Sequence, residues 1–321
     1  MAFPSVSILL PVLNEEEDLE ECLASLVAQD YQGSLEIVVA DGGSTDATLE
    51  ILDKHAEDPT NLRVFPNPDR VQSAGINLAA GAARGEILVR VDAHTTYAPD
   101  YVSKSVATLL ETGASAVGGL MRAESPTRFG SAVARAMSAK LAMGPARYRH
   151  ATTRSEVDTV YLGAFRKDEF LEMGGLRMLP SHVAEDTDLY FRWKQRGGRV
   201  IVEPSIRSVY RPRQTPGALA RQFYRYGLGK ADMLYVNGVW PSWRPTAPLL
   251  LIVGLIGGIA LVPLSWWPLV ALLALWLGAL ALTARFRPLV VVAGAIMHLA
   301  YGVGLWRGLF RSPRKVRAAV R

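Results

Sequence analysis

One cysteine, Cys22, in 321 residues leaves no disulfide scaffold and no cysteine-clustered zinc site. Acidic residues are absent from residues 246–321, where eight basic residues stand; residues 1–245 carry 27 Lys and Arg against 30 Asp and Glu. The formal charge of +5 therefore belongs to the tail. A nucleic-acid-binding surface needs positive charge on the folded domain, so that partner is disfavoured. No G-x-G-x-x-G follows the first strand-like run, which disfavours a dinucleotide-binding domain, and no G-x-S-x-G elbow points to a serine hydrolase. Half of the chain is apolar and a fifth is charged, so wholesale disorder is ruled out. The length suits one large domain or two modest ones.

The tail does have long apolar runs. Residues 247–263, 266–284 and 288–306 are stretches of 17 to 19 residues, interrupted by charge only at Arg285 and Arg287. About 20 apolar residues are needed to cross the hydrocarbon core of a bilayer. Six of the seven tryptophans lie at or beyond Trp240, several of them at stretch ends where interfacial indoles are expected. The pattern predicts a multi-pass membrane anchor behind a soluble front. The N-terminus shows no basic segment followed by a signal-type apolar run, which puts the front domain in the cytoplasm. Three spans would then place Arg307, Arg311, Arg314, Lys315, Arg317 and Arg321 outside, against the positive-inside rule. Two spans, with the first stretch lying at the interface, would keep them inside. Hydropathy favours three and charge favours two.

The front alternates β-branched runs with helical patterns. A strand over 5–10 precedes a helix that Asn14 would cap, with Glu17 at the capping-box spacing and Leu19, Cys22, Leu23 and Leu26 as its apolar stripe. A strand over 35–40 precedes a helix from Asp46 carrying Leu49 and Leu52. A strand over 62–65, a helix over 72–83 and a strand over 87–91 complete the repeats. Val102, Val106 and Leu109 mark the next helix, and 114–121 the next strand. This order predicts an α/β fold with a mostly parallel sheet covered by helices on both faces.

In such sheets ligands bind at the carboxyl ends of the strands. Asn14 and Glu15 follow the first strand, residues 41–46 (D-G-G-S-T-D) the second, and Asp92, Ala93 and His94 the strand over 87–91. An acidic rim suits a phosphate-bearing ligand only if a metal accompanies it. Asp92 and His94, two apart on an extended segment, can reach one divalent ion; Mg²⁺ or Mn²⁺ would bridge a pyrophosphate. Asp41 at the neighbouring strand end can accept hydrogen bonds from a base or ribose.

The P-V-L-N-E run from Pro11 to Glu15, the V-A-D-G-G-S-T-D run through Asp41 and Ser44, Asn77 in A-G-I-N, and V-D-A-H through Asp92 and His94 together resemble family-2 inverting glycosyltransferases of the GT-A fold. The Asp-Ala-His triplet is similar to the subgroup that builds exopolysaccharides such as succinoglycan. The resemblance covers roughly residues 4 to 235. It implies a nucleoside-diphosphate sugar donor, a UDP-sugar in first place. Pro11, Leu13, Glu15, Asp41, Ser44, Asn77 and Asp92 would serve the nucleotide, and Asp92 and His94 the metal. Most of the family has Asp where His94 stands, and an imidazole ligand shifts preference toward borderline ions such as Mn²⁺.

The second half resembles the acceptor side of the same family. Gly163 lies in a V-Y-L-G-A-F-R segment similar to the loop beneath the donor sugar. In the Glu185-Asp186-Thr187-Asp188 segment, the resemblance makes Asp186 the base that takes the acceptor's proton, with Glu185 positioning it or binding acceptor. Gln222, Arg225 and Tyr226 resemble the family's Q-x-x-R-W element with Tyr for Trp, so Gln222 and Arg225 would meet acceptor or leaving diphosphate. On the opposite face, Leu219 and Phe223 would rest on the membrane. Alternatively, Arg221, Arg225 and Lys230 form an interfacial basic stripe. The changed Trp points to single-sugar addition over processive synthesis. Elsewhere, Cys22 reads as packing, His182 as shaping a loop, and His298 as a neutral interhelical hydrogen-bonding group.

The expected organisation is a cytoplasmic catalytic domain over 1–235, with a nucleotide half over 1–122 and an acceptor half over 123–235, then a membrane domain over 236–321. The expected activity is metal-dependent inverting transfer from a nucleotide sugar to a lipid-linked polyprenyl-diphosphate glycan at the inner membrane. The alternatives are a polyprenyl-phosphate glycosyl synthase and a non-catalytic nucleotide-sugar-binding scaffold.

Overall fold

Four short apolar runs rich in β-branched residues form β1 (Val6–Val12), β2 (Leu35–Asp41), β3 (Leu62–Pro66) and β4 (Ile87–Arg90). They pair in parallel in the order β3-β2-β1-β4. The computed structural model describes residues 3–56, 61–139, 147–239 and 246–320. Trp240 and Arg321, counted above with the interfacial tryptophans and the basic tail, lie outside the described residues.

Between these strands run α1 (Leu19–Val27), α2 (Thr48–Ala56) and α3 (Gln72–Ala82); β5 (Thr95–Tyr97), α4 (Tyr101–Thr112) and β6 (Ala116–Ala123) follow. The two-residue period of the strands sorts their side chains into two cores. Val6, Ile8, Leu10, Val39 and Val89 meet α1, α2 and α4 through Leu19, Cys22, Leu23, Leu26, Leu52, Val102 and Leu109. Leu9, Val38, Ala40 and Leu88 face the other way, toward Ile76 and Ala79 of α3. Cys22 is buried on the α1 stripe as packing. Leu49 of α2 is exposed.

Asn14 does not cap α1. It takes a left-handed backbone (φ 55°), and its Oδ1 accepts from Thr45 N at 2.8 Å, tying the loop after β1 to the loop after β2. The helix begins later, with Asp18 at its N-cap and Leu19 N donating to Glu15 O. Asp46 does start α2 in the expected manner, its Oδ1 accepting from Thr48 N at 3.1 Å.

Strand–helix alternation enforces parallel pairing only as far as β4. Beyond it come α5 (Arg128–Met137), β7 (Ser155–Glu156), β8 (Tyr161–Arg166), α6 (Lys167–Glu172), α7 (Glu185–Gln195) and β9 (Val200–Tyr210). Here β8 pairs antiparallel with β4 and β6, and β9 antiparallel with β5 and β7, completing a nine-stranded sheet. On the α3 face, α7 contributes Leu189, Tyr190 and Trp193, which pack with Phe165 and Phe170.

The chain divides into two compact units. The sheet unit is Met1–Arg122, Arg147–Met178 and Glu185–Tyr210. The second comprises Ala123–Ala146, Leu179–Ala184 and Arg211–Arg321, and so gathers α5 with five C-terminal helices: α8 (Pro216–Asn237), α9 (Thr246–Leu261), α10 (Trp267–Thr283), α11 (Pro288–Leu309) and α12 (Pro313–Ala318). Within it α8 lies in backbone contact with α11: a Cβ on Gly304 would collide with the Tyr224 carbonyl, and one on Gly227 would lie 2.6 Å from Leu305 N. Leu219 and Phe223 are buried, so the face expected to rest on a membrane is packed inside protein. Among the described residues α11 is the one helix long and apolar enough to cross a bilayer; α9 and α10 are shorter apolar helices of 16 and 17 residues. His298 accepts from Trp276 Nε1 at 3.1 Å, joining α10 to α11 as an interhelical bond.

Candidate active site

The carboxyl ends of β1, β2 and β4 meet along one edge of the parallel sheet. Asp41 closes β2 opposite Val12 and is nearly buried. Its carboxylate accepts from Gly43 N at 2.9 Å, Ser44 N at 3.2 Å and Ser44 Oγ at 2.6 Å. Ser44 Oγ in turn accepts from Asn14 N at 2.9 Å. Thr48 Oγ1 receives Glu15 N, Glu16 Oε2 receives Ala47 N, and the two loops are thereby stitched together. Pro11 lies in β1 beside Ala40, and Leu13 is exposed above Gly42. Pro11, Leu13, Glu15, Asp41 and Ser44 thus share one rim. Asn77 is set apart from them: its amide donates to Leu176 O at 2.7 Å and accepts from Leu176 N at 2.8 Å, fixing the turn after α6.

Asp92 follows β4. Its Oδ1 accepts from Gln72 Nε2 at 2.8 Å, and its backbone N–H donates to Tyr97 Oη at 2.8 Å. His94 lies 3.9 Å from Glu15 Oε2 through Nδ1, and its ring stands edge-on to Tyr210. Carboxylate and imidazole oxygen and nitrogen donors suit a divalent cation. Among the described residues no group of three or more His, Cys, Asp or Glu is placed to hold a metal ion. An ion held by two protein donors would take its remaining ligands from phosphate oxygens and water. Asp92 and His94 fit the group that the rim implies.

Across the same edge, α7 presents its N-terminus. Carboxylates are favoured there by the positive end of the helix dipole, and Glu185, Asp186 and Asp188 all fall in the first turn. Their surroundings differ. Asp188 is fully buried in ion pairs with Arg192 (2.9 Å) and Arg177 (3.4 Å). Arg192 also holds Met173 O and Gly175 O, so this part of the segment is structural. Glu185 is buried, and burial pushes its carboxyl up to about 7; the Arg90 guanidinium opposes that shift and Asp186 adds to it. Asp186 is partly exposed, with Oδ1 accepting from Thr187 N at 2.6 Å and Thr187 Oγ1 at 3.2 Å.

Arg90 ends β4 and was not singled out by motif. Its Nη2 donates to Glu185 Oε1 at 3.1 Å, and its Nη1 lies 3.8 Å from Asp186 Oδ2. Desolvation opposes its charge, but Glu185 and Asp186 outweigh that and hold the proton more tightly than usual. A lone charge in the apolar run I-L-V-R-V was the available signal. Gln72, Tyr97 and Tyr210 carried no such mark.

Beside α7, Leu162 and Gly163 of β8 both have positive φ (58° and 134°), and Tyr190 Oη donates to Leu162 O. A Cβ on Gly163 would sit 2.7 Å from Tyr190 Oη, so only glycine fits. The second unit holds Gln222 and Arg225 on α8. Arg225 is exposed and its Nη2 donates to Ser181 O at 3.4 Å. His182 has φ 53° in the 179–184 loop, its N–H bonded to Leu179 O at 2.8 Å.

A model of the family described as Glycosyl transferase family 2 matches residues 7–171. The succinoglycan biosynthesis protein ExoA of Rhizobium meliloti (strain 1021) is 31% identical over 319 residues, 96% of each chain. A Methanococcus voltae protein, dolichyl N-acetyl-alpha-D-glucosaminyl phosphate 3-beta-D-2,3-diacetamido-2,3-dideoxy-beta-D-glucuronosyltransferase, is 25% identical over 73% of this chain and 76% of its own. Among solved structures, the mannosyltransferase PcManGT from Pyrobaculum calidifontis, in complex with GDP-Man and Mn²⁺, has a TM-score of 0.65 at 23% identity, over 96% of this chain and 87% of that one. S. aureus TarS 1–349 in complex with UDP-GlcNAc has a TM-score of 0.55 at 18% identity, over 94% and 90%. At these identities the two structures speak to the fold.

Proposed function

The chain belongs to glycosyl transferase family 2 and is a glycosyltransferase of the GT-A fold, and on that premise we propose that it moves a sugar, with inversion, from a nucleoside-diphosphate sugar to a lipid-linked glycan at the cytoplasmic membrane. The observation that carries the chemistry is the contrast at the start of α7: Asp186 is partly exposed, whereas its neighbours Glu185 and Asp188 are buried in ion pairs. Asp186 is the carboxylate of that segment open to an incoming hydroxyl.

Asp186 accepts the hydroxyl proton as the acceptor oxygen bonds to the anomeric carbon from the face opposite the diphosphate. The anomeric C–O bond to the β-phosphate breaks, and its electron pair leaves with the nucleoside diphosphate. Asp41, Ser44, Glu15, Pro11 and Leu13 receive the nucleoside, with a UDP-sugar as the first candidate. Asp92 and His94 would hold a divalent cation, Mn²⁺ ahead of Mg²⁺ because His94 would supply nitrogen. When bound, that ion neutralises charge on the leaving diphosphate. Gln222 and Arg225 are assigned to acceptor or diphosphate by their place in the family motif.

The lipid-linked acceptor is supported by two observations. The chain carries α11, 22 residues long with mean hydropathy 1.9, together with two further apolar helices. Its relatives include a succinoglycan biosynthesis protein and one whose name contains a dolichyl-linked sugar phosphate. We place α10 and α11 across the membrane as a hairpin, with α9 at the interface. A second reading, a polyprenyl-phosphate glycosyl synthase, is favoured by the exposed Arg221 and Arg225 on α8, which suit a bare lipid phosphate.

The test is nucleotide release from UDP-, GDP- and dTDP-sugars by detergent-purified protein with a native lipid extract, with and without Mn²⁺, beside Asp186→Asn. Release should require lipid, metal and Asp186, while Asp186→Asn still binds donor. Release unaffected by Asp186→Asn would remove the base assignment. Binding without release from any donor would bring back a non-catalytic scaffold.

A further inference from the structure

We propose that Arg90 is a positioning residue for the transfer step, orienting the Asp186 carboxylate toward the reacting hydroxyl, and that Glu185 is its buried anchor. This rests on Asp186 being the base. Strand alternation puts Arg90 on the same face of β4 as Leu88, the face on which α7 packs. A side chain leaving the end of β4 on that side therefore arrives at the first turn of α7. One guanidinium nitrogen is fixed there: Nη2 bonds to Glu185 Oε1 at 3.1 Å. The other two are buried, and neither Nε nor Nη1 has a hydrogen-bond partner among the described residues. Nη1 faces Asp186 Oδ2 across 3.8 Å, beyond bonding range, while Thr187 holds the opposite oxygen.

An ion pair kept only for packing would satisfy its protons, because an unmade bond on a buried charged group is costly. Here the planar fork is held at one tip and presents the other to the carboxylate that must move a proton. Active-site hydrogen bonds are often long without substrate and tighten in the complex. Asp186 is exposed enough to rotate the short remaining distance onto Nη1 when acceptor displaces water. Arg90 also stands two residues before Asp92, so one strand end positions the base and the donor-side carboxylate together. Glu185 then acts through Arg90, without contact with the acceptor.

The experiment compares full-length wild type, Arg90→Lys, the paired replacement Arg90→Met with Glu185→Leu, and Asp186→Asn. Each is measured for thermal midpoint, donor KM and kcat in the nucleotide-release assay. The paired replacement removes both buried charges at similar volume, a change that usually leaves a fold intact. It should keep wild-type thermal midpoint and donor KM while kcat falls about 100-fold, the scale of a misplaced general base. Arg90→Lys, which keeps the charge but loses the fork, should recover part of that loss. Wild-type kcat in the paired variant, or its failure to fold, would make the pair structural and overturn the proposal. A loss of donor affinity matching the loss of kcat would do the same. An inactive Asp186→Asn beside a fully active paired variant would remove only the role of Arg90. An active Asp186→Asn would remove the base assignment and this proposal with it.

Discussion

Glu185 and Asp186 are chemically alike and adjacent, yet they meet opposite surroundings, and that difference has a measurable pH signature. Burial raises the folded-state value of Glu185 to about 7, above that of an unfolded glutamate. The folded state therefore holds a proton that the unfolded chain releases. The stability this contributes is fully present below the unfolded value and is lost as pH rises through about 7. Glu185→Gln should consequently flatten the decline in thermal midpoint between pH 5 and pH 8; an unchanged slope would mean that Glu185 is ionised throughout. The resemblance gave the pair different roles, but their difference in burial could not be read from the sequence, because it is set by packing on Arg90, 95 residues earlier. The acidic rim was legible for a simpler reason: Asp41 closes a strand, Asp92 and Glu15 follow one, and parallel strands end on one edge. The partner of Asn77 could not be read this way, because its amide bonds a turn far along the chain, at Leu176.

The first four strands and their helices followed from hydrophobic period, because each element buries a face against its neighbours in sequence. Long-range packing could not be read that way. Leu219 and Phe223 look like a surface stripe, yet both are buried in the helical unit. Asn14 looks like a cap, yet the loop after β2 claims it. The element with the most consequence is α8, whose fully buried Asp232 accepts from Ser181 N at 2.8 Å and from Arg311 Nη1 at 3.2 Å. Ser181 belongs to the 179–184 loop, which also packs Val183 and Ala184 against Gly229 and has positive φ at His182 and Ala184. The chain passes directly from that loop into Glu185. Replacing Asp232 by Ala leaves Arg311 and a backbone N–H without their partner, at a cost of about 3 kcal/mol. Hydrogen exchange should then quicken at residues 181–184, with a lower thermal midpoint; unchanged exchange there would show that Asp232 does not hold the loop.

At the scale of the whole molecule the open quantity is the number of membrane crossings, on which hydropathy and charge disagree. Trp276 bonds to His298, so α10 and α11 run antiparallel about the turn at Arg285 and Arg287. By that register Leu272 and Leu269 stand near the levels of Gly302 and Leu305. Helix α9 touches Gly302 through Pro248 and Ile252, Leu272 at Gly254 and Leu269 at Gly258. Gly254 against Leu272 and Gly258 against Leu269 is an antiparallel register, so α9 runs back along α10. At 16 and 17 residues α9 and α10 are about 24 and 26 Å long, each short of a hydrocarbon core of about 30 Å, so length does not choose between them. The proposed two-span arrangement, with α10 and α11 as the spanning hairpin, rests on charge: it would keep Arg307, Arg311, Arg314, Lys315 and Arg317 on the cytoplasmic side, as the positive-inside rule requires. Single cysteines test this cleanly, because Cys22 is buried and its thiol is pushed up by that burial, which keeps it unreactive. With a membrane-impermeant maleimide, Arg287→Cys should label only from outside and Arg314→Cys only from the cytoplasmic face. Labelling of both from one face would mean that the hairpin dips into a single leaflet, and labelling of Arg314→Cys from outside would mean that α9 crosses after all.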